Sequence, residues 1–156
     1  MTEKAFQECY PEELSHCYGC GINNTRGYQL KSYWEGAHSV ARFLPQSYHT
    51  AIPGFVYGGL IASLIDCHGT GTASGAAYRA EGREPGSEPT LRFVTGSLQV
   101  DFLAPTPMGM ELRLVGDAVE IKPRKVVVEI ELFAGETLCA RGRVIAVRMP
   151  ESMAPA

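Results

Sequence analysis

The stretch Gly54-Phe55-Val56-Tyr57-Gly58-Gly59-Leu60-Ile61-Ala62-Ser63-Leu64-Ile65-Asp66-Cys67-His68 decides the fold. It opens as a glycine-broken turn and continues as an apolar helix carrying one carboxylate. At helical spacing, Leu60, Ile61, Leu64, Ile65 and His68 share one side. Gly59, Ala62, Ser63, Asp66, Gly69 and Thr70 share the other. Gly58 and Gly59 fall where the helix starts, so its first amides stand bare of side chains, a natural place for an oxyanion or a polarised carbonyl. Asp66 is the one titratable group on the small face, and an unpaired buried carboxylate is too costly to be there without a partner or a task. The helix is expected to run to about Tyr78, with Gly69, Gly71 and Gly75 weakening its second half.

Upstream of this stretch, Gly27–Glu35 and His38–Leu44 read as two strands around the turn Glu35-Gly36-Ala37. Pro45 and Pro53 bracket a loop holding Tyr48 and His49. Downstream, residues 79–89 form a charged, proline-bearing loop, and beyond them the pattern is strands only. Gly96–Leu103 puts Leu98, Val100 and Phe102 on one face. Met110–Ile121, Val126–Ala134 and Thr137–Met149 follow, joined by short turns. Two strands, one buried helix and four strands make an α+β chain, a helix packed on an antiparallel sheet. The expected organisation is an irregular segment 1–26, one domain at 27–149 and a flexible tail at 150–156. Because the helix has so little polar surface, it should be wrapped by the curved sheet and by further protein, which calls for a dimer at least.

The chain has 156 residues, 45% hydrophobic and 20% charged, with a formal net charge of -3. That is one ordinary globular domain, without the bulk charge that attracts nucleic acid or an anionic membrane. No apolar run reaches membrane-span length, and Glu3, Lys4 and Glu8 are out of place in a signal peptide. Five scattered cysteines do not suggest a disulfide framework, so a reducing cytoplasm is the expected location. Cys17 and Cys20 have metal-ligand spacing, but no second Cys-x-x-Cys accompanies them; His16 and Cys9 are the nearby residues that would have to complete a site. The segment is read instead as a tight loop under the sheet, with no metal expected. Cys67 is read as a small buried hydrophobe and His68 as a core histidine.

Two segments then carry a resemblance. Gly54-Phe-Val-Tyr-Gly-Gly…Ile65-Asp66 and Thr95-Gly-Ser-Leu-Gln-Val-Asp-Phe-Leu-Ala-Pro-Thr-Pro-Met-Gly109 resemble the hotdog-fold acyl-CoA thioesterases, most nearly the branch named for the phenylacetate-degradation thioesterase. The resemblance covers Cys17 to Met149. It implies a long central helix wrapped by a curved antiparallel sheet of about five to six strands, protomers joined sheet edge to sheet edge, and a homodimer that pairs into a homotetramer. It implies hydrolysis of an acyl-CoA by water, with no cofactor beyond the coenzyme A of the substrate. The family's acid falls on Asp66, its carbonyl-polarising amide on Gly58, and its polar residue at the start of the next strand on Thr95. Related branches place a threonine one turn beyond the acid, here Thr70. One departure is Tyr57, where many relatives carry histidine; a phenol titrating near pH 10 is no substitute for an imidazole at neutral pH.

On these residues a thioester would be polarised by the Gly58 N–H while Asp66 deprotonates a water or attacks the carbonyl itself. Eight helical residues separate Gly58 from Asp66, about 12 Å of rise, so the two are expected to meet across a dimer interface. Tyr57, Gly59 and His49 are placed at the substrate. In the basic reversal Lys122-Pro123-Arg124-Lys125, Arg124 and Lys125 are candidates for the coenzyme A phosphates, against the alternative of a solubilising turn. Two other functions fit the same fold: a non-catalytic acyl-CoA binder, and a hydratase or dehydratase, which Tyr57 disfavours.

Overall fold

A computed structural model describes residues 3–155. The sheet follows from the alternation of buried and exposed positions. In Lys125–Ala134, Val126, Val128, Ile130 and Leu132 are buried while Glu129 is exposed and Glu131 half-buried. The strands are β1 (Ser32–Glu35), β2 (His38–Phe43), β3 (Phe93–Phe102), β4 (Leu112–Ile121), β5 (Lys125–Ala134) and β6 (Thr137–Arg148). They form one antiparallel sheet in the order β1-β2-β4-β5-β6-β3. Register brings Ala118, Val128 and Val144 side by side across β4, β5 and β6. The one α-helix among the described residues, α1 (Gly58–Ala80), packs against β3, β4, β5 and β6. This is the hotdog arrangement.

Glycine lets helix and sheet approach closely. A Cβ on Gly69 would lie 2.5 Å from Val144 Cγ2, and one on Gly142 would lie 2.3 Å from Ile65 Cγ2. The helical glycines therefore do not loosen α1. Contact with the sheet outweighs their weak propensity, and the helix stays buried through Tyr78 before ending at Ala80. Ile65, Leu64 and Leu60, all at most 1% exposed, each contribute about 1.5–3 kcal/mol of burial to this seam.

One expectation needs correction. The first strand is Ser32–Glu35 only. Residues 27–31 are diverted by Gln29, at φ 53, and bond to the Cys-x-x-Cys loop instead, Tyr28 N–H to the Tyr18 carbonyl (2.9 Å) and Leu30 N–H to the Gly19 carbonyl (3.1 Å). The tail carries a 3-10 turn at Glu151–Met153, closed by Met153 N–H on the Pro150 carbonyl. The N-terminal segment, for its part, forms 3-10 turns at Phe6–Cys9 and Glu12–Leu14, and buries Phe6, Gln7 and Tyr10 against the rest.

A buried polar chain pins that segment to helix and sheet. Gln7 Nε2 donates to Ser32 Oγ (3.1 Å), and Gln7 Oε1 accepts from Ser32 N–H (2.8 Å). Ser32 Oγ meets His68 Nδ1 at 2.8 Å, His68 Nε2 meets Ser39 Oγ at 3.0 Å, and Ser39 Oγ meets Thr72 Oγ1 at 2.7 Å. Each ring nitrogen of His68 thus faces a hydroxyl, and complete burial, which pushes its pKa down to about 4, keeps the ring neutral.

Candidate active site

Asp66 sits in the third turn of α1, half-buried, facing the start of β3. There Thr95 donates its hydroxyl to Asp66 Oδ1. Thr95 precedes a bulge, since it pairs with Ala146 while Ser97 pairs with Ile145. The extra residue re-aims the strand beside the carboxylate. Burial pushes the Asp66 carboxyl above its ordinary range, and the Cys17 charge adds to this; the Thr95 bond and Arg92 oppose it. A carboxylate so placed is a stronger base than a free aspartate. Thr70 is placed differently. Its hydroxyl faces the backbone of its own helix, 3.4 Å from the Asp66 carbonyl and 3.3 Å from the Cys67 carbonyl, and not the carboxylate.

The N-terminus of α1 is built by the loop before it. Tyr57, the N-cap, is extended (φ -61, ψ 129); its carbonyl accepts from Leu60 N–H and Ile61 N–H. The Gly58 and Gly59 amides precede both and are the helix's own orphan donors. Loop bonds hold this end in place: Tyr57 N–H to the His49 carbonyl and Val56 N–H to the Thr106 carbonyl, each 2.9 Å. Gly58 lines an open apolar cleft of about 320 Å³ with Phe55, Val56, Ile61, Phe102, Leu103 and Thr106, and Asp66 is not part of it. The Tyr57 ring lies over Gly59, where a Cβ would be 2.5 Å from it. One chain thus holds the carboxylate and the bare amides at two separate places along α1.

The other sequence-derived residues fall further out. His49 stacks among Tyr28, Phe43 and Tyr48 and accepts from Gln46 N–H at Nδ1 (2.9 Å); burial lowers its pKa. Arg124 borders an open cleft of about 950 Å³ together with Arg148 and Glu151. Lys125 is paired 3.0 Å from Glu120 at the surface.

The sequence profile of the Thioesterase superfamily matches residues 53–140. The chain belongs to the thioesterase superfamily. A crystallised thioesterase superfamily protein from Shewanella loihica PV-4 is 55% identical, covering 90% of this chain and 100% of that one, with a TM-score of 0.69. The PaaI protein of the phenylacetic acid degradation operon of E. coli shares the fold at 18% identity, covering 79% of this chain and 81% of its own, with a TM-score of 0.59. Acyl-coenzyme A thioesterase THEM4 of Xenopus laevis is 33% identical over 87 residues, 56% of this chain. The chain spans about a third (33%) of the length of that relative.

Two features of this superfamily member escape a reading of the sequence. Along β3 the exposed Leu98 and Phe102 lie on an edge strand, with the exposed Leu103 just beyond it; alternation alone puts Leu98 and Phe102 on one face without showing that this face is open. Cys67 lies beside Cys17 and Cys20, a meeting that the tight loop at Gly19 makes possible. The signal for the second was present as Cys-x-x-Cys, but the third residue came from a helix far along the chain. His16 and Cys9 do not join them: among the described residues the group consists of Cys17, Cys20 and Cys67, and Cys9 Sγ turns to the Ala5 carbonyl.

Proposed function

We propose that this chain hydrolyses acyl-CoA thioesters. Asp66 acts as the general base on a water, the Gly58 N–H polarises the thioester carbonyl, and Thr95 orients the carboxylate. The observation that carries the reading is the Asp66–Thr95 pair, a raised, half-buried carboxylate held by one hydrogen bond at an open sheet edge. Coenzyme A as the carrier is supported by the name of the Xenopus laevis relative.

The site is completed by a second copy. β3 offers an unpaired edge, and α1 runs back along it, with Asp66 near Thr95 and Gly58 beside Phe102, a Gly58 Cβ lying 3.5 Å from the Phe102 ring. Antiparallel pairing of two β3 strands about Leu98–Gln99 sets Thr95 against the partner's Phe102. That brings Asp66 toward the bare amide of the partner chain. The acyl group then lies along Phe55, Ile61, Phe102 and Leu103, with Tyr57 and Gly59 at its mouth. Arg124, with Arg148 across the 950 Å³ cleft, is the basic group offered to the phosphates.

The test is thiol release from short, medium, long and aromatic acyl-CoAs, wild type beside Asp66→Asn. Turnover of one acyl class that collapses in the variant is expected. Binding without turnover across the whole panel would replace hydrolysis with the binder reading, and turnover that survives Asp66→Asn would remove Asp66 from the mechanism.

A further inference from the structure

Cys17, Cys20 and Cys67 take no part in the reaction just described. Their three sulfurs lie within 4.8 Å of one another, and Cys17 Sγ is 3.9 Å from Cys67 Sγ. Disulfide sulfurs stand about 2.05 Å apart, so these are separate thiols. A tetrahedral zinc ion, with Zn–S near 2.3 Å, spaces its sulfurs about 3.8 Å apart. The Cys17–Cys67 separation already matches that edge.

The backbone around Cys17 folds tightly over the cluster. Gly21 N–H closes onto the Cys17 carbonyl at 2.8 Å. Gly19 has no side chain where one would collide, since its Cβ would lie 2.3 Å from Cys67 Sγ. An independent observation comes from Tyr10. It is 9% exposed, and its hydroxyl is the one buried side-chain polar atom without a partner among the described residues. Tyr10 packs in the same buried cluster as Cys20 and Cys67. A buried donor left unpaired is costly, so it points to a missing ligand. Arg92 completes the surroundings, its guanidinium 4.3 Å from the centre of the Tyr10 ring and acting on Cys20. Its charge offsets the single negative charge that three thiolates and a dication leave behind.

We infer that Cys17, Cys20 and Cys67 hold one cation of the zinc class as three thiolates, with the Tyr10 hydroxyl at the fourth position, directly or through one water. On binding, each thiol gives its proton to solvent as its S–metal bond forms, and nothing is oxidised or reduced. Thiolates select a soft ion over magnesium or calcium, and three of them fall short of the four that iron–sulfur clusters take. The cation would clamp the 17–20 loop onto α1 at the residue next to Asp66, a structural role that stands whether or not the chain is a thioesterase.

The experiment uses the full chain, reduced, stripped with a strong chelator and titrated with Co²⁺. One equivalent per protomer should bind, giving a thiolate-to-cobalt charge-transfer band in the near ultraviolet and tetrahedral bands in the visible, both bleached by stoichiometric Zn²⁺. Tyr10→Phe should weaken binding by about 10–100-fold, as loss of an outer partner does. Cys17→Ser should abolish the charge-transfer band, while Cys9→Ser leaves it intact. Circular dichroism checks the folding of each variant, and the wild-type titration decides alone should Cys17→Ser not fold. Absence of the charge-transfer band in the reduced wild type, or its persistence in folded Cys17→Ser, overturns the site.

Discussion

Replacing Gly58 by proline removes one hydrogen-bond donor and little else. Proline is welcome at the first helical position, where its missing N–H costs no helical bond. The residue before it must be extended, and Tyr57 already is, at φ -61 and ψ 129. The bonds that start α1 come from Leu60 and Ile61, so they survive. Stability should therefore be unchanged or rise by up to about 1 kcal/mol through the stiffer unfolded chain. Activity should not survive so well. Loss of one oxyanion donor costs about 2.7–4 kcal/mol of barrier, a fall of about 10²–10³ in kcat. Gly58→Ala is the control: it keeps the N–H, and its methyl meets the Phe102 ring at an ordinary 3.5 Å, so kcat should stay within about tenfold of wild type, well inside the donor-loss range. The assay is steady-state thiol release, with thermal melting of each variant. Gly58→Pro that melts normally and turns over at the wild-type rate would refute the role of this amide.

Asp66→Asn should lower kcat by about 10²–10⁴, the usual worth of a general base, in the same assay. It should also melt higher at neutral pH. Burial raises the folded carboxyl, so stability is full while the group is protonated and is lost as pH rises through the folded value; asparagine never pays that cost. A melt lower than wild type at neutral pH would contradict this sign. His68, fully buried, is pushed down to about 4 from 6.5. The unfolded chain protonates first on acidification, so stability present above pH 6.5 is lost toward pH 4, by up to about 3 kcal/mol at about 1.4 kcal/mol per unit. Urea midpoints of wild type and His68→Gln should converge as pH falls from 7 to 4.5, and parallel curves would remove His68 as the cause. Gly69→Ala gains about 1 kcal/mol of helix propensity but forces a methyl to within 2.5–2.9 Å of three Val144 atoms. Overpacking at the upper end of about 1–3 kcal/mol wins, for a net loss near 2 kcal/mol and a Tm lower by about 4–8 °C. An equal or higher Tm would show that the seam between helix and sheet is looser than the structure has it.

What the sequence shows plainly is what has a short period. The alternation in β5 and β6, and the helical spacing of Leu60, Ile61, Leu64 and Ile65, lead directly to the elements observed. So does the helix start at Gly58, which rests on local pattern. Asp66 stands out by its place on the helix, but Thr95 is reached only through the family resemblance, since it meets Asp66 from 29 residues away. The misreadings share the opposite property. Residues 27–31 look like a strand until the loop at Tyr18 and Gly19 takes their hydrogen bonds. Gly69 looks like a helix weakness until Val144 arrives from β6. Cys67 looks like packing until the chain brings Cys17 and Cys20 to it. In each case the deciding atom belongs to a distant segment, and propensity gives way to tertiary contact.

The open edge of β3 also bears on the life of the chain before it is complete. A freshly made copy displays a ten-residue strand with free backbone groups and apolar side chains at Leu98 and Phe102, and no proline or lysine interrupts it. Such an edge is sticky toward any passing strand. Self-association should therefore compete with aggregation during synthesis, and dilution or overproduction should tip that contest in opposite directions. Charged Lys or Glu at Leu98 would make a more soluble polypeptide and, by the same substitution, a solitary one.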